Sequence, residues 1–131
     1  MGYDFSGKRI LVADNDESIV TMLEAALREK GAEVISVMDG SEVMDTFRDE
    51  HGKFDMLILD VKMPGMGGVD IALNIRSIDA IPGTTDVPVI VIAAHEKYFN
   101  VVRAEIAGVC ELLHKPIEEE RLYDAVAKYI R

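Results

Sequence analysis

Five short apolar runs recur along the chain: RILVA at residues 9–13, EVISV at 33–37, MLILD at 56–60, PVIVIAA at 88–94 and CELLH at 110–114. They are continuous rather than alternating, so both faces of each predicted strand must be covered. That is the pattern of a parallel sheet in an α/β fold, and the intervals leave room for a helix between each pair. In ESIVTMLEAALREKG, Ile19, Leu23, Ala26 and Leu27 fall on one side and Gly31 supplies a stop. A second helix is expected from DGSEV, with Ser41 as its cap and Val43 and Phe47 turned inward. GGVDIALNIRS supplies a third through Val69, Leu73 and Ile75. In EKYFNVVRAEIAG, Phe99, Val102 and Ile106 are expected in the core, leaving Tyr98 and Val101 exposed. The last helix repeats Leu122, Ala125, Val126, Tyr129 and Ile130 at helical spacing. Glutamates at its start and Lys128 and Arg131 at its end complement the helix dipole. SIDAIPGTTDVP, with Pro-Gly and Asp-x-Pro punctuation, reads as an exposed connection before the fourth strand.

Composition narrows the setting. A chain of 131 residues suits one domain with a core that needs no staples. Its 24 acidic against 14 basic residues give a net charge of -10, which opposes direct nucleic acid or anionic membrane binding and points to proteins or cations as partners. The single cysteine, Cys110, forms no internal disulfide and reads as a small buried or semi-buried filler without a redox role. No apolar stretch reaches the roughly 18 residues of a membrane span, and MGYDFSGKR lacks a signal peptide's apolar centre. Tyr3 directly after Gly2 argues against myristoylation. A cytoplasmic location is the expectation.

In an open parallel sheet, ligands bind beyond the carboxyl ends of the strands, where strand order reverses. The first strand finishes in Asp14, Asn15 and Asp16, the third at Asp60, the fourth at Ala93 and Ala94, and the fifth before Lys115. Two or three carboxylates and one lysine should therefore converge. Oxygen ligands beside a lysine suit Mg²⁺, which takes few protein carboxylates and keeps several waters. They also suit an acyl phosphate, for which Asp60 is the candidate nucleophile, with metal and lysine neutralising charge on the phosphoryl oxygens.

The segments ILVADNDESI, LILDVKMPGMGG, PVIVIAA and HKP, in that order, resemble the motifs of the response-regulator receiver domain. The resemblance covers residues 8–131, with 1–7 as an N-terminal extension. It implies a flavodoxin-like (βα)5 fold with strand order 2-1-3-4-5. It also implies that Asp60 accepts a phosphoryl group from a histidine kinase or phosphotransfer domain, and that Mg²⁺ is held by Asp14, Asn15, Asp60 and the Lys62 backbone carbonyl. The Lys62 side chain would face solvent, Lys115 would contact the phosphoryl oxygens, and the Lys115–Pro116 bond would be cis. Pro64 and the glycines after it would turn the chain sharply over the pocket. In the family, the fourth helix, fifth strand and fifth helix commonly contact effectors or pair two copies. DFSGKRILVA resembles the junction that precedes receivers in hybrid sensor kinases.

Three positions depart from the family pattern. The second of two adjacent acids is Asn15, so weaker Mg²⁺ binding is expected. The switch hydroxyl at the end of the fourth strand is replaced by Ala93, and its coupled aromatic on the fifth strand by Leu112. The alternative is thus a receiver-like interaction module phosphorylated weakly or not at all. Two other classes fit worse. A phosphatase with an aspartyl nucleophile would want an acid where Lys62 stands, and a flavodoxin would not place DNDES at its phosphate loop. Independent substrate turnover is not expected. His95 and His114 flank the predicted pocket, are not spaced in the sequence as a metal-ligand motif, and read as surface or supporting residues.

Overall fold

The computed structural model describes residues 2–50, 53–77, 86–95 and 100–130. The elements alternate: β1 (Arg9–Ala13), α1 (Glu17–Glu29), β2 (Glu33–Val37), α2 (Gly40–Asp49), β3 (Met56–Asp60), α3 (Gly68–Arg76), β4 (Val89–Ala93), α4 (Val101–Ala107), β5 (Val109–His114) and α5 (Glu119–Tyr129). All strand pairs are parallel, in the order β2-β1-β3-β4-β5, the arrangement expected from the sequence. Order reverses between β1 and β3, the two strands on either side of that point, where β1 leads directly into Asp14 and β3 ends in Asp60.

Pleating splits the core in two. Leu11, Ala13, Leu57, Leu59, Val89, Val91 and Ala93 face α2, α3 and α4. Ile10, Val12, Met56, Ile58, Ile90 and Ile92 face α1 and α5. Every residue of β3 and β4 is buried, which explains their unbroken apolar sequences. In β5 the pairing moves from Val89 opposite Val109 to Ile90 opposite Glu111, so Cys110 is an extra residue in a β-bulge. Beyond it, Leu112 packs on the α4 side and Leu113 on the α5 side.

Several expectations change in detail. The cap of α2 is Asp39, whose side chain accepts from the Ser41 N–H at 2.7 Å, because the helix starts one residue before Ser41. Val20 takes the buried place on α1 while Ile19 is half-buried, and Leu73, Tyr129 and Ile130 are likewise half-buried. The largest correction concerns α4. Ala104 and Ala107 face the core, whereas Val102 and Ile106 are 66% and 70% exposed. At about 100° per residue, positions 102 and 106 lie roughly 200° around the helix from Ala104, so the alanine face excludes them from the core. Val101 is exposed, as expected, at 58%. Tyr98, Phe99 and most of the loop before β4 lie outside the described residues.

The segment before β1 is packed against the domain. Phe5 is 3% exposed and its N–H donates to the Lys30 carbonyl at 2.7 Å. Tyr3 lies against the ring of Tyr123, with its hydroxyl donating to Asp124.

Candidate phosphoryl and metal site

The carboxyl ends of β1, β3, β4 and β5 meet at one cleft. Asp14 directly follows β1 and is fully buried. Its Oδ1 accepts from the Asp16 N–H at 2.9 Å, which ties it to the start of α1, where Asp16 is the cap. Its Oδ2 lies 2.9 Å from Lys115 Nζ as an ion pair. Asp60, 5% exposed, accepts from the Lys62 N–H at 3.3 Å through Oδ1 and from Lys115 Nζ at 3.4 Å through Oδ2. Lys115 thus stands between two buried carboxylates. Its backbone N–H donates to the Ala93 carbonyl at 3.0 Å, which fixes the loop after β5 beside β4, and the Lys115–Pro116 bond is cis.

The charges do not balance. Burial pushes the Asp60 carboxyl up from its ordinary value, and the Asp14 charge pushes further, while Lys115 and the Lys62 N–H only partly offset them. Burial works against the Lys115 ammonium, but Asp14 and then Asp60 together outweigh it and hold the ammonium protonated above its ordinary range. One cation serves two anions, so a second positive charge has a place here.

The cleft has a volume of about 520 Å³ and is lined by Asn15, Asp60, Lys62, Ala93, His95 and Lys115, among others. Asp14 is absent from that lining because it lies fully buried. Lys62 is exposed and stands two residues beyond Asp60, with Val61 between them. Ala93 is 2% exposed at the cleft wall and carries no hydroxyl, and Leu112 belongs to the same packed cluster beneath α4. The structure therefore assembles the residues singled out from the sequence and leaves a methyl group where the family places its switch hydroxyl.

The residues present suit a divalent cation. Asp14 and Asp60 are buried carboxylates that face each other across one ammonium, and Asn15 adds an amide group at the cleft lining. Among the described residues no group of three His, Cys, Asp or Glu side chains comes close enough to hold a metal. Such a site would rely on carbonyl oxygens and water for its remaining positions, which suits Mg²⁺.

Sequence reasoning missed the main-chain hydrogen bonds that orient both carboxylates, from Asp16 and Lys62. A carboxylate two residues before an exposed turn position is the signal for such an Asx turn.

The sequence model of the response regulator receiver domain matches residues 10–127. The chain belongs to that family. It is 33% identical over 119 residues to the sensory/regulatory protein RpfC of Xanthomonas campestris pv. campestris, covering 91% of this chain and 16% of RpfC. It is 32% identical over 123 residues to the transcriptional regulatory protein PrrA of Mycobacterium tuberculosis, covering 94% of this chain and 50% of PrrA. The chain thus spans half or less of the length of these curated relatives. Among solved structures, it resembles the receiver domain of the sensor histidine kinase PA1611 from Pseudomonas aeruginosa PAO1, which has a magnesium ion coordinated in its active site cleft. Identity there is 25%, with a TM-score of 0.77 and coverage of 95% of this chain and 98% of that one. As a response regulator receiver domain, the chain is a part of two-component signal transduction. None of its described helices is long and apolar enough to cross a membrane.

Proposed function

We propose that this receiver domain accepts a phosphoryl group on Asp60 from the phosphohistidine of a histidine kinase or phosphotransfer domain. The observation that carries the reading is the arrangement of Asp14 and Asp60 around one ammonium, at a cleft large enough for a phosphoryl group. A carboxylate oxygen of Asp60 forms the bond to phosphorus as the phosphorus–nitrogen bond to the donor imidazole breaks, and the imidazole leaves with the electron pair. Lys115 stays charged and pairs with the phosphoryl oxygens as the Asp60 carboxylate becomes an acyl phosphate. Asp14, Asp60, the Asn15 side chain and the Lys62 carbonyl would hold Mg²⁺. When bound, the ion offsets the negative charge that gathers between carboxylates and phosphoryl group. The Asp16 and Lys62 N–H groups keep the two carboxylates oriented throughout.

The chain turns over no separate substrate, acts in the cytoplasm, and meets proteins rather than nucleic acid or membrane, in keeping with its net charge of -10. Its output contact is a second protein or a second copy of itself, at the face of α4, β5 and α5.

Incubation with acetyl phosphate and Mg²⁺ followed by intact-protein mass spectrometry tests the reading. The expected result is a gain of one phosphoryl group, absent in Asp60→Asn. A chain that stays unmodified under those conditions, and also fails to bind beryllofluoride with Mg²⁺, overturns it.

A further inference from the structure

The loop between β3 and α3, residues 61–67, carries the Lys62 carbonyl and lines the cleft through Val61, Lys62, Met63 and Pro64. Its far side rests on the start of α2. The Gly40 N–H donates to the Pro64 carbonyl at 3.0 Å, and that carbonyl also accepts from the Met66 N–H at 3.0 Å. A Cβ on Gly40 would lie 1.8 Å from the Met66 carbonyl oxygen and 2.7 Å from the Met66 nitrogen, so no side chain fits without moving backbone. Gly65, at φ 83°, turns in the left-handed region, and a Cβ there would lie 2.9 Å from Asp39 Oδ1, the oxygen that caps α2. Two glycines thus let two backbone segments touch directly. The contact has no give of the kind that a flexible side chain would supply.

We propose that Gly40 is a positioning residue for the cleft: its missing side chain lets the start of α2 seat the β3–α3 loop, and so fixes where Asp60 and the Lys62 carbonyl face the bound ion and phosphoryl group. The inference rests on the proposed function. The geometry makes the seat a short one, because Met66 and Pro64 lie only a few residues beyond Asp60 on the same strand-to-helix turn. By linkage, a seat that favours ion binding must itself be tightened by the ion. The start of α2 therefore senses occupancy of the cleft although it contributes no side chain to it.

Mg²⁺ titrations followed by backbone amide NMR, in the full chain, compare wild type, Gly40→Ala and Phe47→Leu. Phe47 is fully buried two turns further along α2, so its variant lowers stability without touching the seat. Affinity is expected to fall tenfold or more in Gly40→Ala and to stay within about twofold in Phe47→Leu. In the wild type, Mg²⁺ with beryllofluoride is expected to slow exchange of the Gly40 amide tenfold or more. This second measurement stands even if Gly40→Ala does not fold. Unchanged Gly40 exchange in a loaded wild type, or equal losses of affinity in both variants, overturns the inference and leaves phosphoryl acceptance standing. A wild type that binds neither Mg²⁺ nor beryllofluoride overturns both.

Discussion

Asp60 holds its charge in a place that disfavours it. Because its carboxyl is raised in the folded state, the native protein binds more protons than the unfolded chain between the ordinary carboxyl value and the higher folded one. Its contribution to stability is therefore full below the unfolded value, near about 4, and is lost as pH rises through the folded one. Asp60→Asn removes the charge with little change in shape, so urea unfolding at pH 7 should show a gain of roughly 0.5–2 kcal/mol, the size commonly recovered by relaxing a functional site. The gain should shrink at pH 4. Lys115→Met does the reverse, leaving Asp14 and Asp60 facing each other without the ammonium. Removing one member of a buried pair costs about 3–5 kcal/mol, and the low end is expected because Lys115 opens onto the cleft. That loss should be smaller at pH 4, and calorimetry at the two pH values checks both signs. The acidic strand ends that set up this conflict are legible from sequence, because a lone polar residue stands out at the end of an apolar run. That Asp14 lies wholly beneath the cleft is not legible, since the residue pattern gives direction along a strand but not depth.

Helix α4 is held differently from its neighbours. Its buried face consists of Ala104 and Ala107, which offer little apolar area, so polar contacts carry more of its attachment. Arg76, at the end of α3, donates to the carbonyls of Ala107 at 2.9 Å, Gly108 at 3.1 Å and Val87 at 2.7 Å, and Arg103 pairs with Asp70. Arg76→Met leaves three carbonyls without that charged donor. Such bonds are worth about 1.5–3 kcal/mol each, and water replaces part of the loss at this half-buried position. A destabilisation of about 2–4 kcal/mol is expected, with amide exchange rising in α4 and at the start of β5 while β1 and β3 stay protected. Ile106→Lys, by contrast, should change stability by no more than about 0.5 kcal/mol by urea unfolding, because its side chain already meets water. A rule that sends the largest apolar residues inward puts Val102 and Ile106 in the core. It fails here because the inner face admits only methyl groups. The same rule works for α2, where Val43 and Phe47 are both fully buried, since that helix carries large residues on the side facing the sheet. Arg76 was invisible to it, as a lone arginine at a helix end reads as a dipole partner, and its three acceptors lie 11 to 32 residues away.

Across the whole molecule, the question is whether an event at Asp60 reaches the α4, β5 and α5 face. The direct route in the family runs through a hydroxyl at the position of Ala93, and a methyl group has nothing to donate to a phosphoryl oxygen. The Arg76 and Arg103 attachments of α4 lead to α3, to the start of β5 and to Val87 before β4, and none of these residues lines the cleft. Loading the wild type with beryllofluoride and Mg²⁺ should therefore move amide resonances at the cleft, in the β3–α3 loop and at the start of α2, with little change in α4. Ala93→Thr together with Leu112→Tyr restores a donor and its aromatic partner. A hydrogen bond to a charged group, worth about 1.5–3 kcal/mol, shifts a two-state ratio tenfold or more, so α4 and β5 resonances should then respond to loading. Asn15→Asp separates ion affinity from this coupling. The added charge is worth at most about 4 kcal/mol at 4 Å and an effective dielectric of 20, before solvation is subtracted. Tighter Mg²⁺ binding with α4 still silent is the expected result for Asn15→Asp alone. Equal Mg²⁺ affinity would show that the Asn15 amide already serves as well as a carboxylate, and a responsive α4 in the unmodified chain would show that the signal does not need the hydroxyl.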